Sequence, residues 1–555
     1  MSGNLGDAIN QSLVTMDDVD TAIRQSFGVR LRLGHFDQPG PLQKVEQSVL
    51  CDPDAIELAR DGKPHDYCWH LGCILPRGPA MIVRTGAAQG TVLLHNARDA
   101  AGKAMLPMHA ATAGAVAVLG PHGSPHYGRA MGYYYFGAHG CMPVCGTNST
   151  NQGPFYTVAD AFREHAKSVV QVDGVADCST HNESGIPAAV AAARSADTVV
   201  LAVGTDLTVA AEGGDATNLT LSPAQQALVT AVLGAAKGKV LVVLTTAVPL
   251  DITDLLANEK VGAIVHLGVP GIQAVGVGDV LFGKKAIAGR LDQTWYPKVF
   301  ADELSIFDMN LRPGPSAYPR PDCTQRPASA CPRAVNPGVT HRFCECRNGR
   351  LGPLTVATTL TRPRSFCEQT PRLPCLPSVL ASAVRLTCFV ASTPLLKLGC
   401  CCADTTWEYA FASAPVGPVS LDPLRAIVNH ATDHNRTFLD SSLLLGAEAA
   451  PSAHYEVTVT NTGQVDSDDA VLGFLKPPGA GTGGVPLQAL FGFKRVFVKA
   501  GQSVTVELYP ELHEFSQVGA DGRRFVLAGE YTVSVGLEAT VAGGGGFVED
   551  KLVCT

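Results

Sequence analysis

Between residues 114 and 268 the chain alternates short runs of consecutive apolar, mostly β-branched residues with longer helix-patterned stretches. The runs are GAVAVLG (114–120), DTVVLAVG (197–204), KVLVVLTT (239–246) and VGAIVHLG (261–268). Between them lie IPAAVAAARSA, PAQQALVTAVLGAA and ITDLLANE, whose apolar positions recur at helical spacing. Unbroken apolar strands separated by helices predict a mostly parallel sheet covered on both faces, an α/β sandwich. Ligands of such sheets bind beyond the carboxyl ends of the strands. That rule puts Gly120-Pro121-His122, Gly204-Thr205-Asp206 and Gly268-Val269-Pro270-Gly271 on the functional rim.

From about 453 the period changes to two. HYEVTVTNTG, DAVLGFLKPP, FKRVFVKAG, SVTVELYP and GEYTVSVG alternate apolar and polar positions between Gly, Pro and Asn turns. They predict a small β-sandwich of the fibronectin or immunoglobulin type. The fold class expected is therefore α/β plus all-β: a mostly parallel α/β sandwich followed by a fibronectin type III-like domain. Near the start, residues 15–33 read as an amphipathic helix. Thr15 is its N-cap, Asp17 and Asp18 lie in its first turn, Val19, Ile23, Phe27 and Arg30 follow at helical spacing, and Gly34 closes it.

The 555 residues, 46% hydrophobic and 17% charged, are ample for real cores. The net charge of -8 has no acidic or basic blocks, which argues against a nucleic acid or an anionic membrane as partner. No apolar run reaches the ~20 residues of a membrane span, and the first residues show no basic-then-apolar signal peptide. Sequons at Asn148, Asn182, Asn218 and Asn435 suit a secreted protein. Eight of the 17 cysteines crowd between 344 and 402 at spacings that fit no tetrahedral zinc site, so no metal is expected. The glycine-rich GPHGSPHYG lacks both the G-x-G-x-x-G spacing and a P-loop lysine, which argues against nucleotide binding.

A series of segments resembles family 3 glycoside hydrolases in the family's order. They are LVTMDDVDTAIRQSFGVRLRLGHFD, GTVLLHN with Leu106-Pro107, AVLGPHG, SADTVVLAVGTD, AAEGGDATNLTL, PLDITDLL, VGAIVHLGVPG, DVLFG and AGRLDQTWYP. VTNTG, PLQALFGFKRV and AGEYTVSVG continue the resemblance into the terminal β-sandwich. The β-xylosidase/α-arabinofuranosidase branch shows EAEG-x-DR-x-NL-x-L, where this chain has Ala210-Ala211-Glu212-Gly213-Gly214-Asp215-Ala216. The resemblance implies retaining hydrolysis of O-glycosyl bonds in xylan or hemicellulose, on oligosaccharide substrates, without a cofactor. Such chemistry takes two carboxyls about 5 to 5.5 Å apart. In the family the nucleophilic aspartate lies on a preceding (β/α)₈ barrel, and the acid/base glutamate comes from the α/β sandwich. No aspartate here is assigned as nucleophile. Glu212 is the candidate acid/base, and Asp206, Asp215 and His122 are candidate sugar-binding residues. The first glutamate of the family's pair is replaced by Ala210 and the arginine by Ala216, so Glu212 also reads as a solvated loop carboxylate.

The expected domain plan is a barrel remnant and linker (1–50), the α/β sandwich (51–300), a linker (301–343) and the fibronectin-like domain (405–555). Two stretches, 63–86 and 344–404, interrupt the family register. Both are expected to be non-native insertions, and the second, which carries no sustained period, is expected to be disordered. The chain as a whole is expected to be a truncated enzyme, inactive alone, whose complete parent is extracellular or in the cell wall. The rival reading is a carbohydrate-binding or scaffold protein, and within the family a β-glucosidase.

Overall fold

The computed structural model describes residues 5–37, 89–123, 157–269, 276–321, 405–434, 453–519, 521–536 and 546–555, with a few positions between them. The expected insertions at 63–86 and 344–404 lie outside the described residues, as do Asn148, Asn435 and the loop 270–275.

The first unit holds α1 (Leu5–Asn10) and α2 (Met16–Arg32). Thr15 caps α2 by a reciprocal pair of bonds: its Oγ1 accepts from Asp18 N at 3.2 Å while Asp18 Oδ2 accepts from Thr15 N at 2.9 Å. At the other end Gly34 takes φ 67°, and its N–H and that of His35 donate to Leu31 O and Arg30 O. That is a Schellman closure, which a glycine adopts without Cβ strain. Both ends follow the sequence pattern, and neither helix buries a residue.

In the second unit, β1 (Val92–Asn96), β2 (Ala115–Leu119), β3 (Ser168–Val172), β4 (Thr198–Gly204), β5 (Val240–Thr245) and β6 (Val261–His266) form one sheet in the order β1-β6-β5-β4-β2-β3. All neighbours are parallel except β1 and β6. The central strands are buried on both sides, so their alternate side chains feed two separate cores. Val199, Leu201 and Val203 pack in one with α4 (Ile186–Ser195) and α5 (Pro223–Ala235). Val200 and Ala202 pack in the other with α3 (Val158–Arg163) and α7 (Gly276–Leu281). The short α6 (Thr253–Ala257) leads into β6. Pattern reading found β2, β4, β5 and β6 but did not single out β1 or β3. The half-exposed SVVQV of β3, an edge strand, lacks the continuous apolar run that marks the centre.

After α8 (Lys298–Glu303), the stretch expected to be a linker contains a two-stranded antiparallel ladder, β7 (Gly314–Pro319) with β8 (Arg333–Asn336). The terminal domain is a two-sheet sandwich. One sheet orders β13-β10-β9, from β9 (Trp407–Ser413), β10 (Tyr455–Asn461) and β13 (Ser503–Leu508). The other orders β12-β11-β16-β17, from β11 (Ser467–Lys476), β12 (Ala489–Val498), β16 (Gly529–Gly536) and β17 (Phe547–Cys554). A small hairpin, β14 (Ser516–Val518) with β15 (Arg524–Val526), joins it. Tyr455, Val457 and Val459 of β10 point inward against Tyr531 and Val533 of β16, in one core without a disulfide among the described residues. The Tyr531 hydroxyl donates to Leu527 O at 2.9 Å, tying this strand to the turn that precedes it. The helix α9 (Asp422–Asp433) covers the sandwich with Leu424 and Val428.

Candidate glycosidase site

The strand order reverses at β2, which has β3 on one side and β4 on the other. The carboxyl ends of β2 and β4 therefore border the crevice where open α/β sheets place ligands. His122 follows β2, and Thr205 and Asp206 follow β4.

The chain fills the floor of this crevice with its own polar groups. His122 is 2% exposed, its backbone N–H donates to Ala202 O at 3.1 Å, and its Nε2 lies 3.0 Å from Thr205 O and 3.3 Å from Cys178 Sγ. Burial holds the His122 imidazole down at about 4, although Asp206 and the Thr205 carbonyl pull the other way. It is neutral at neutral pH, with Nε2 as donor to the carbonyl. Burial also pushes the Cys178 thiol well up, so it is no thiolate nucleophile. Asp206 accepts from Thr208 N at 2.9 Å, from the Thr208 hydroxyl, and from Cys178 N at 3.3 Å. Gln225, on the first turn of α5, donates to Cys178 O at 3.0 Å and Gly204 O at 2.9 Å and accepts from Gly204 N at 3.0 Å. Thr205 and Thr246 share a hydroxyl contact of 2.8 Å, which extends the network to the end of β5.

Above this floor the segment after β4 turns outward. Ala211 and Gly214 exchange backbone hydrogen bonds of 2.8 and 2.9 Å, and Gly213 at φ 76° makes the bend, as the third residue of a type II turn requires. Glu212 occupies the corner of that turn. Its carboxylate is exposed and has no hydrogen bond or ion pair among the described residues. Asp215, just past the turn, is exposed as well. The four residues singled out from sequence thus separate by depth. Glu212 and Asp215 face outward, whereas His122 and Asp206 lie beneath them, bonded to the scaffold. Pattern reading missed Cys178, Gln225 and Thr246, which together with Thr205 tie the floor together. Gln225 gives no signal of its own, because it sits inside an ordinary Ser-Pro helix start.

At the end of β6, His266 is buried edge-on against Trp295 with ring centroids 5.0 Å apart, and burial holds it too at about 4. His266 Nδ1 accepts from Gly268 N at 3.4 Å.

Two family matches cover these parts: the glycosyl hydrolase family 3 C-terminal domain over residues 91–320, and the fibronectin type III-like domain over 469–539. The chain carries the family 3 C-terminal domain. The family 3 region contains the whole floor and Glu212, and the fibronectin-like match falls within the seven-stranded sandwich. Among relatives, Beta-D-xylosidase 1 of Arabidopsis thaliana is 26% identical over 95% of this chain and 55% of its own length. Beta-xylosidase/alpha-L-arabinofuranosidase 2 of Medicago sativa subsp. varia is 31% identical over 56% of this chain and 35% of its own. The chain spans about half the length of the relatives it matches end to end. A solved GH3 exo-beta-xylosidase (XlnD), in complex with a xylobiose aziridine probe, superposes with TM-score 0.65 at 21% identity, covering 99% of this chain and 55% of that one. A beta-glucosidase from Listeria innocua superposes at 0.59 and 18%. These likenesses establish the shared family 3 fold.

Proposed function

We propose that this chain forms the α/β-sandwich and fibronectin-like part of an exo-acting β-1,4-xylosidase/α-L-arabinofuranosidase of hemicellulose breakdown, with Glu212 as acid/base of a retaining mechanism. The observation that carries the reading is the Glu212 carboxylate, held outward and without a partner among the described residues, on a tight turn just beyond β4 at the ligand-bearing end of the sheet. The xylosidase names of its relatives support the sugar class.

In this reading a glycoside approaches the exposed turn, where Gly213 and Gly214 leave room beside the carboxylate. Protonated Glu212 gives its proton to the leaving oxygen, and as carboxylate it then activates water against the glycosyl-enzyme bond. Asp215 orients a sugar hydroxyl, while His122 and Asp206 fix the loop from below. The nucleophile is supplied by sequence beyond this chain, so the chain alone does not hydrolyse glycosides. The exposed sequons Asn182 and Asn218 support an extracellular or cell-wall location.

The test joins the chain to the preceding half of a plant relative and assays aryl β-D-xylopyranosides and α-L-arabinofuranosides beside the chain alone. Glu212→Gln in the joined protein is expected to lower kcat about 10²- to 10⁴-fold on poor leaving groups and far less on activated ones. Equal rates for both proteins on every leaving group would remove Glu212 from the mechanism. Turnover by the isolated chain would refute the external nucleophile, and a preference for glucosides would overturn the sugar assignment.

A further inference from the structure

The fibronectin-like domain carries a histidine pair that the glycosidase reading does not use. His430 lies in the last turn of α9 and His434 caps it, both exposed. Their i, i+4 spacing places both imidazoles on one helix face, with ring centroids 4.2 Å apart. His434 Nδ1 lies 2.8 Å from His430 O, so it donates to that carbonyl, which fixes the tautomer and leaves the Nε2 lone pair directed outward. Metal-bound histidines are oriented by this same kind of bond from the second ring nitrogen. Among the described residues the His430 ring nitrogens have no partner, so this ring is free to turn toward His434. The pair also sits at the carboxyl end of the helix, where the backbone dipole favours a cation.

We infer that His430 and His434 form a two-imidazole chelate for a divalent transition metal of the nickel, copper or zinc class. The spacing equals that of the two histidines in a helical H-E-x-x-H zinc site, but Ala431 stands where that motif has its glutamate. The site therefore binds without supplying a general base, and its remaining coordination positions fall to water. It lies in the domain opposite in sequence to Glu212 and is independent of the glycosidase reading.

Nickel is the probe of choice, because imidazole suits it while the chain's 17 cysteines would compete for zinc. Untagged full-length chain is titrated calorimetrically with NiCl₂ beside His430→Ala, His434→Ala and the double variant. The native chain is expected to bind one more equivalent than the double variant, and each single variant to bind it about tenfold more weakly or worse. His430→Ala favours the helix, whereas His434→Ala also removes the capping bond to His430 O, so circular dichroism checks that each variant retains its fold. A second measurement needs no substitution: Ni²⁺ is expected to protect His430 and His434 from carbethoxylation by diethyl pyrocarbonate, read by mass mapping. Equal nickel uptake by native chain and double variant, or unprotected modification of the two residues at saturating nickel, overturns the site.

Discussion

Arg290 Nη2 donates to Oδ1 of Asp469, joining the last part of the α/β sandwich to strand β11 of the fibronectin-like domain across 179 residues of sequence. The other oxygen of the same carboxylate accepts from the Tyr409 hydroxyl of β9. The Asp469 side chain is 1% exposed and that of Arg290 12%, so solvent screens the pair little. Arg312 adds a second tie, donating from Nε to Gly484 O at 3.0 Å and from Nη2 to Val518 O. Removing one member of a buried pair costs more than the pair contributes, because the other charge stays desolvated. Asp469→Ala is expected to lower stability by about 3 kcal/mol, and Asp469→Asn by less, since the amide retains an acceptor. Urea unfolding followed by fluorescence gives the comparison. An unchanged midpoint for the alanine variant would mean that the tie contributes nothing to stability.

Asp206 and Glu212 are six residues apart and are expected to respond unequally to loss of charge. Asp206 holds the buried Cys178 N–H and the N–H and hydroxyl of Thr208, whereas Glu212 has no hydrogen bond or ion pair among the described residues. Asp206→Ala strands the buried Cys178 N–H and frees the exposed Thr208 groups to water, and is expected to cost about 1 to 2 kcal/mol. Glu212→Gln is expected to stay within about 0.5 kcal/mol of the native chain, as exposed substitutions do. Thermal or urea unfolding of the two variants checks the pair. A large loss of stability with Glu212→Gln would show that the carboxylate is a structural group.

The four central strands and both capped ends of α2 were legible because one local rule determines each: an unbroken apolar run, a Thr-x-x-Asp start, a glycine stop. The alternating strands of the terminal sandwich followed for the same reason, as Tyr455, Val457 and Val459 show. The site was legible only in part. Glu212 and Asp215 stand in a recognisable glycine-rich segment, and the rule for ligand positions in α/β sheets placed His122 and Asp206 correctly at the strand ends. Their depth was not legible. It depends on Gln225 reaching from α5 to Gly204 and Cys178, contacts 21 and 47 residues away that leave no local pattern. The Arg290–Asp469 tie was likewise hidden, because a lone arginine in AGRLDQTWYP looks the same whether it meets solvent or another domain.

The two buried histidines at the strand ends make stability depend on pH. An unfolded histidine titrates near about 6.5, while burial holds His122 and His266 at about 4 in the folded chain. Below pH 6.5 the unfolded state thus binds protons that the folded state refuses. The contribution of each neutral ring is complete above about 6.5 and is lost as pH falls toward about 4, by up to about 3 kcal/mol each. Replacing His122 by Gln is expected to flatten the stability profile in this window even if it lowers stability at pH 7. Urea midpoints measured from pH 7.5 to 4.5 for both chains decide it, and parallel profiles would mean that His122 is not responsible.

Gly204 and Gly213 both have positive φ, yet only one is held by a neighbouring strand. At Gly204, φ 156°, an added Cβ would lie 1.8 Å from Thr245 O, the residue opposite it in the parallel β4–β5 ladder. Neither that carbonyl nor the strand can move without breaking ladder bonds, and the Gln225 clamp grips the same glycine from the other side. At Gly213, φ 76°, a Cβ would meet nothing within 4 Å. Gly204→Ala is therefore expected to cost about 3 kcal/mol or more through overpacking against fixed backbone. Gly213→Ala meets only the left-handed penalty, about 1 to 2 kcal/mol. The decisive measurement is hydrogen exchange over 205–216 together with urea unfolding. Gly204→Ala should raise exchange across the whole segment by releasing Asp206 and Gln225, while Gly213→Ala should raise it only near the turn. Equal protection in the two variants would show that the floor beneath the rim does not hold the loop that carries Glu212.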